Sequence, residues 1–83
     1  MNRLTVQKQY AGGIPHAYWS PHKKEDIVQR LGAYEDAAGL PEAARMTHRR
    51  VNGIRLGYWS ARNKESLVQL LGYYEDKEEE VKQ

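Results

Sequence analysis

An internal duplication constrains this chain more than any other feature. Set without a gap, residues 13–36 and 53–76 agree at 14 of 24 positions. The agreement includes Tyr18/Tyr58, Trp19/Trp59, Ser20/Ser60, Lys24/Lys64, Gln29/Gln69, Gly32/Gly72, Tyr34/Tyr74, Glu35/Glu75 and Asp36/Asp76. A repeat of this length lies near the size below which a chain rarely folds alone without disulfides, metal or a partner. The two copies, 3–40 and 43–80, are therefore expected to share one core in a single domain spanning 1–83.

Composition narrows the class. There is no cysteine, so disulfides and thiolate metal sites are excluded. The three histidines, His16, His22 and His48, lack ligand spacing. No apolar run approaches the ~20 residues of a membrane span. Met1-Asn2-Arg3-Leu4-Thr5 lacks the apolar core of a signal peptide, so a soluble intracellular protein is expected. The net charge of +2 is unevenly spread, with a basic middle and an acidic stretch from Glu75 to Glu80.

Residues 3–10 alternate as a strand, with Leu4, Val6 and Tyr10 on one face. Ala11-Gly12-Gly13 signals a turn, and residues 14–19 return as a second strand. In the second copy 45–51 and 54–59 are strands around an Asn52-Gly53 turn. Two-residue turns would set Val6 against Trp19 and Met46 against Trp59. Those pairs are expected to mark the buried face, with both tryptophans in the core. Ser20 and Ser60 are expected to cap helices, with Pro21 and Ala61 at the first helical position. Ile27, Leu31, Tyr34 and Ala38 form an amphipathic stripe, widened by Val28, and Leu67, Val68, Leu71 and Tyr74 repeat it. Gly39-Leu40-Pro41 ends the first helix. The second helix has no stop, and fraying from Glu79 onward is expected. The fold class is α+β: tandem ββα repeats, forming an antiparallel four-stranded sheet with two helices on one face. The alternative exchanges helices or hairpins between two chains.

The segment Arg30-Leu31-Gly32-Ala33-Tyr34-Glu35-Asp36-Ala37-Ala38-Gly39-Leu40-Pro41-Glu42 resembles one found in small accessory proteins of phages and prophages of Gram-positive bacteria. Their pattern reads R-L-A-x-Y-E-D-T-G-L-x-P-E-E. The opening Met-Asn-Arg-Leu-Thr and a Tyr-Trp before the helix are similar too. Gly32 and Ala37-Ala38 depart from the pattern. The resemblance implies a phage accessory protein in the host cytoplasm and brings no active site with it.

Three constellations carry functional expectations. Both helix starts are basic, with Lys23, Lys24, Arg62 and Lys64 placed where the helix dipole disfavours cations. Tyr18 and Tyr58 stand just before them. Such repeated placement suggests an anion site with rings for stacking a base. Arg45, His48, Arg49, Arg50 and Arg55 make the second hairpin a basic ribbon that could enter a nucleic-acid groove. Leu70 and Tyr73 replace Arg30 and Ala33, widening the apolar arc of the second helix and pointing to a homodimer. The adjacent acids Glu35-Asp36 and Glu75-Asp76 are expected to form salt bridges with strand cations. No catalytic constellation and no cofactor site is read. The expected function is a non-enzymatic phage-encoded binding protein, such as a counter-defence inhibitor that binds a host protein or sequesters an anionic nucleotide. The alternative is a nucleic-acid-binding accessory or regulatory protein.

Overall fold

The computed structural model describes residues 3–8, 17–52 and 55–81. The turns expected at Gly12-Gly13 and at Gly53, together with Tyr10, Ile14 and His16, lie outside the described residues. The element order is β1 (Val6–Lys8), β2 (Ala17–Trp19), α1 (Lys24–Ala38), a 3-10 turn (Glu42–Ala44), β3 (His48–Asn52), β4 (Arg55–Trp59) and α2 (Lys64–Val81). The α+β class and the tandem ββα order agree with the sequence reading. The four strands are divided between two antiparallel ribbons, β1-β2 and β3-β4, rather than joined in one sheet.

The ribbons stay apart because the helices pack between them. Ile27, Val28, Leu31, Leu67, Val68 and Leu71 form one buried cluster, flanked by Tyr34 and Tyr74. Equivalent residues meet: the Tyr34 and Tyr74 rings stack with centroids 5.6 Å apart and planes 4° from parallel. Arg30 pairs with Glu75 at 3.8 Å, and the Tyr34 hydroxyl donates to Glu78. Arg30 and Tyr34 thus also reach residues about one turn beyond their equivalents on α2, as in helices running parallel. Ala38, the end of the expected stripe, is exposed.

Each ribbon docks on the helix of the other repeat. Gln69 brackets Tyr18, its Oε1 accepting from the Tyr18 N–H at 2.9 Å and its Nε2 donating to the Tyr18 carbonyl at 2.7 Å. Gln29 does the same to Tyr58, at 3.1 and 2.8 Å. The glutamine amides act as peptide units that satisfy the strand edge. Beyond them the tyrosine ring lies on a helical glycine. A Cβ on Gly32 would stand 2.3 Å from Cγ of Tyr58, and one on Gly72 the same distance from Cγ of Tyr18. These glycines, which each cost about 1 kcal/mol in helix propensity, exist to seat the rings.

Several local expectations need correction. Val6 does pair with Trp19, but His48, not Met46, pairs with Trp59. Both pairs lie away from the core: Val6 is 47% exposed, Trp19 43% and Trp59 42%. The tyrosine side of each ribbon is the packed one, because a phenol can bury its ring and still give its hydroxyl to a carboxylate. Ser20 and Ser60 do not cap the helices, which begin at Lys24 and Lys64. Instead Ser20 Oγ donates to the Leu4 carbonyl and accepts from the His22 N–H, tying the end of one strand to the start of its neighbour. Ser60 does this for Met46 and Arg62. The Asn63 side chain accepts from the Ser66 N–H at 2.9 Å and caps α2. Gly39, at φ 69°, ends α1 as expected. The second helix continues through Glu79 to Val81, and Arg3 pairs with Glu79 at 3.1 Å.

Candidate functional site

The adjacent acids at the ends of the helices hold the ribbons in place. Glu35 is fully buried and accepts from the N–H groups of Met46 at 2.8 Å and Thr47 at 3.0 Å, and from the Thr47 hydroxyl. Arg45 Nε stands 3.8 Å away. Glu75 is its counterpart, accepting from Leu4 at 2.9 Å, Thr5 at 3.1 Å and the Thr5 hydroxyl, with Arg3 Nε at 3.5 Å. A buried carboxylate surrounded by donors in this way is satisfied rather than reactive. Its neighbour serves the ribbon's inner face. Asp36 takes the Tyr58 hydroxyl, Arg45 and Arg49; Asp76 takes the Tyr18 hydroxyl, Arg3 and Gln7.

These bonds shift titrations in a consistent sense. The Tyr58 hydroxyl, with Arg45 and Arg49, holds the Asp36 carboxyl well below the usual carboxylate range. The same bond to Asp36, followed by burial, pushes the Tyr58 phenol up. Burial first, and then Asp76, raises Tyr18. The contribution of a depressed carboxylate is complete above its unfolded value of about 4 and is lost as pH falls through its folded value.

The strand-cation salt bridges expected for the acids are therefore present, and they occupy part of the basic ribbon. Arg45 and Arg49 are bound to Asp36. His48 Nδ1 meets Glu42 Oε1 at 2.7 Å, and its ring tilts over Trp59 with centroids 5.0 Å apart. The side chain of Arg55 lies outside the described ones. Arg50 remains exposed.

The anion-site candidates are divided by the fold. The tyrosine rings face the helices, as described. Lys23 is the residue preceding α1, and the first turn after it carries Glu25 and Asp26. Arg62 is exposed. Lys64 donates to the Ser20 carbonyl at 3.0 Å, which links the start of α2 to the end of ribbon one. Lys24 makes no side-chain hydrogen bond or ion pair among the described residues, and neither does Arg50.

Those two cations share one cleft. Between β4 and the first turns of α1 lies a depression of about 670 Å³, lined by Lys24, Glu25, Asp26, Val28, Gln29, Arg50, Gly57, Tyr58, Trp59 and Ser60. The sequence reading placed Lys24 and Tyr58 in one constellation and Arg50 in another; the swapped docking of ribbon two on α1 joins them. Trp59, expected in the core, lines the cleft as well. Tyr58 and Trp59 point to opposite sides of an alternating strand, so the packing of the half-buried Tyr58 on α1 leaves Trp59 outward.

At the other end of the helix pair an open apolar groove of about 680 Å³ is lined by Arg30, Ala33, Tyr34, Ala37, Ala38, Tyr74, Lys77 and Glu78. Leu70 packs half-buried against the core, and Tyr73 is 49% exposed with Lys77 5.0 Å above its ring. Among the described residues no helix is long and apolar enough to cross a membrane. Comparison with protein-family models, curated proteins and solved structures finds no match to this chain.

Proposed function

We propose that this chain is a non-enzymatic binding protein that takes a small anionic ligand into the cleft between β4 and α1. One observation carries the reading: Lys24 and Arg50, cations with no side-chain partner among the described residues, line the same cleft as the exposed indole of Trp59. Cations lining a cleft can form charge-assisted hydrogen bonds to an anionic group at short range, and an indole supplies a stacking face. The acids most suited to catalysis by burial, Glu35 and Glu75, are consumed in holding backbone. Together with the resemblance of residues 30–42, this favours a phage accessory protein that withholds an anionic metabolite in the host cytoplasm. The nucleic-acid alternative is weakened, since Arg45 and Arg49 of the basic ribbon are tied to Asp36.

The test uses a Trp19→Phe variant, which leaves Trp59 as the chain's one indole. Titration with pyrophosphate should change its emission saturably. Adding Lys24→Glu and Arg50→Glu should abolish the response while leaving the circular dichroism and melting curve unaltered, because exposed charges add little stability. An unresponsive parent, or a charge-reversed variant that binds equally well, would refute the cleft as an anion site.

A second reading, binding of a host protein, draws on Val6 and Trp19. They pair across the first ribbon and are both substantially exposed, the disposition of an aromatic anchor at an interface.

A further inference from the structure

We infer that the ligand of this cleft is a guanine nucleotide, a conclusion that rests on the cleft being an anion-binding site. The cleft carries charge of both signs. Lys24 and Arg50 are accompanied there by Glu25 and Asp26. A bare phosphate would meet the two carboxylates as well as the two cations. A simple cation would meet the reverse conflict. An uncharged aromatic molecule would use the indole and leave four charged groups to be desolvated without compensation. A ligand with an anionic group at one end and hydrogen-bond donors on a flat ring uses all three kinds of group.

The neighbouring residues restrict the ring further. Gln29 is held against the strand, its Oε1 and Nε2 each bonded to the Tyr58 backbone at 3.1 and 2.8 Å, which leaves it one N–H and one lone pair. Gly57 places no side chain on the wall next to Trp59, and a Cβ there would come within 3.4 Å of Gln29 Oε1. The wall is therefore the planar Gln29 amide over the strand backbone, beside an indole, a surface suited to a planar base. The groups left to read the base edge are carboxylates, which when ionised only accept. Guanine offers them two adjacent donors, N1–H and the 2-amino group, matched to the two oxygens of one carboxylate. Adenine offers its amino group beside the N1 lone pair, which would face the second oxygen.

The equivalent place on the other ribbon lacks the set. Ser66 stands where Asp26 does, Ala17 where Gly57 does, and Lys64 is held by the Ser20 carbonyl. One site per chain follows.

The experiment titrates the full-length Trp19→Phe chain with GDP, ADP and pyrophosphate, following Trp59 emission and confirming stoichiometry by calorimetry. GDP should bind one to one and about tenfold more tightly than either of the others, the scale of a good bidentate base contact. Glu25→Gln with Asp26→Asn should bring GDP down to the level of ADP without weakening pyrophosphate. Equal affinity for GDP and ADP, or a preference that survives the double substitution, overturns the guanine assignment. If pyrophosphate binds as well as GDP, the assignment fails while the anion site stands. If none of the three binds, both fail.

Discussion

The two ribbon-helix units are held by the same residues and finished differently. Ribbon one on α2 and ribbon two on α1 each have a glutamine bracketing a tyrosine backbone, a glycine under its ring, and a Glu-Asp pair receiving an Arg-x-Thr segment. The differences lie around that fastening. Lys64 is bonded to the Ser20 carbonyl, whereas Lys24, identical in the repeat, has no such partner. Asp36 takes two arginines where Asp76 takes Arg3 and Gln7. Identity between repeats therefore marks what fastens the fold, and the residues free to bind something are found where the copies differ or where an identical residue has been released.

The largest test of that comparison is removal of the buried acids. Glu35→Ala and Glu75→Ala each strand two backbone N–H groups, a threonine hydroxyl and an arginine, and should each cost about 3–5 kcal/mol, the scale for breaking a buried pair. Urea unfolding should give values within about 1 kcal/mol of each other if the fastenings are equivalent. A tolerated Glu75→Ala beside a ruinous Glu35→Ala would break the equivalence. A smaller effect is expected at the glycines. Gly32→Ala and Gly72→Ala gain about 1 kcal/mol of propensity but drive a methyl into a tyrosine ring, an overpacking cost of about 1–3 kcal/mol. Melting temperatures should fall; a rise in either would mean that the ring yields. The smallest effect on stability is expected from Leu70→Arg with Tyr73→Ala, which gives α2 the residues of α1. Sedimentation at micromolar concentration should show a dimer for the parent and a monomer for this variant. Two monomers would remove the homodimer.

The succession of elements was legible because hydrophobic periods of two and 3.6 are local properties. Which helix a ribbon docks on is not local, and nothing in the pattern of Tyr18-Trp19 says that the tyrosine packs and the tryptophan does not. The Arg-x-Thr segment was hidden for a simpler reason. Arg3 and Thr5 match Arg45 and Thr47 at a spacing of 42, whereas the second strands and helices match at 40, so an ungapped alignment misses it. That two-residue difference also explains the register. Val6 opposes Trp19, and its counterpart by the longer spacing, His48, opposes Trp59. The cleft was only partly legible, since its cations were visible as candidates but their meeting depends on the exchange of ribbons.

That exchange also has consequences for the order of events during synthesis. The bond from Thr47 to Glu35 spans 12 residues, whereas that from Thr5 to Glu75 spans 70. Residues 24–60 can close on themselves while the rest of the chain is still being made, since loop closure over short separations is fast. The first ribbon has no helix to rest on until the last turns of α2 leave the ribosome. The amino end, although made first, is the last part of the molecule to find its place.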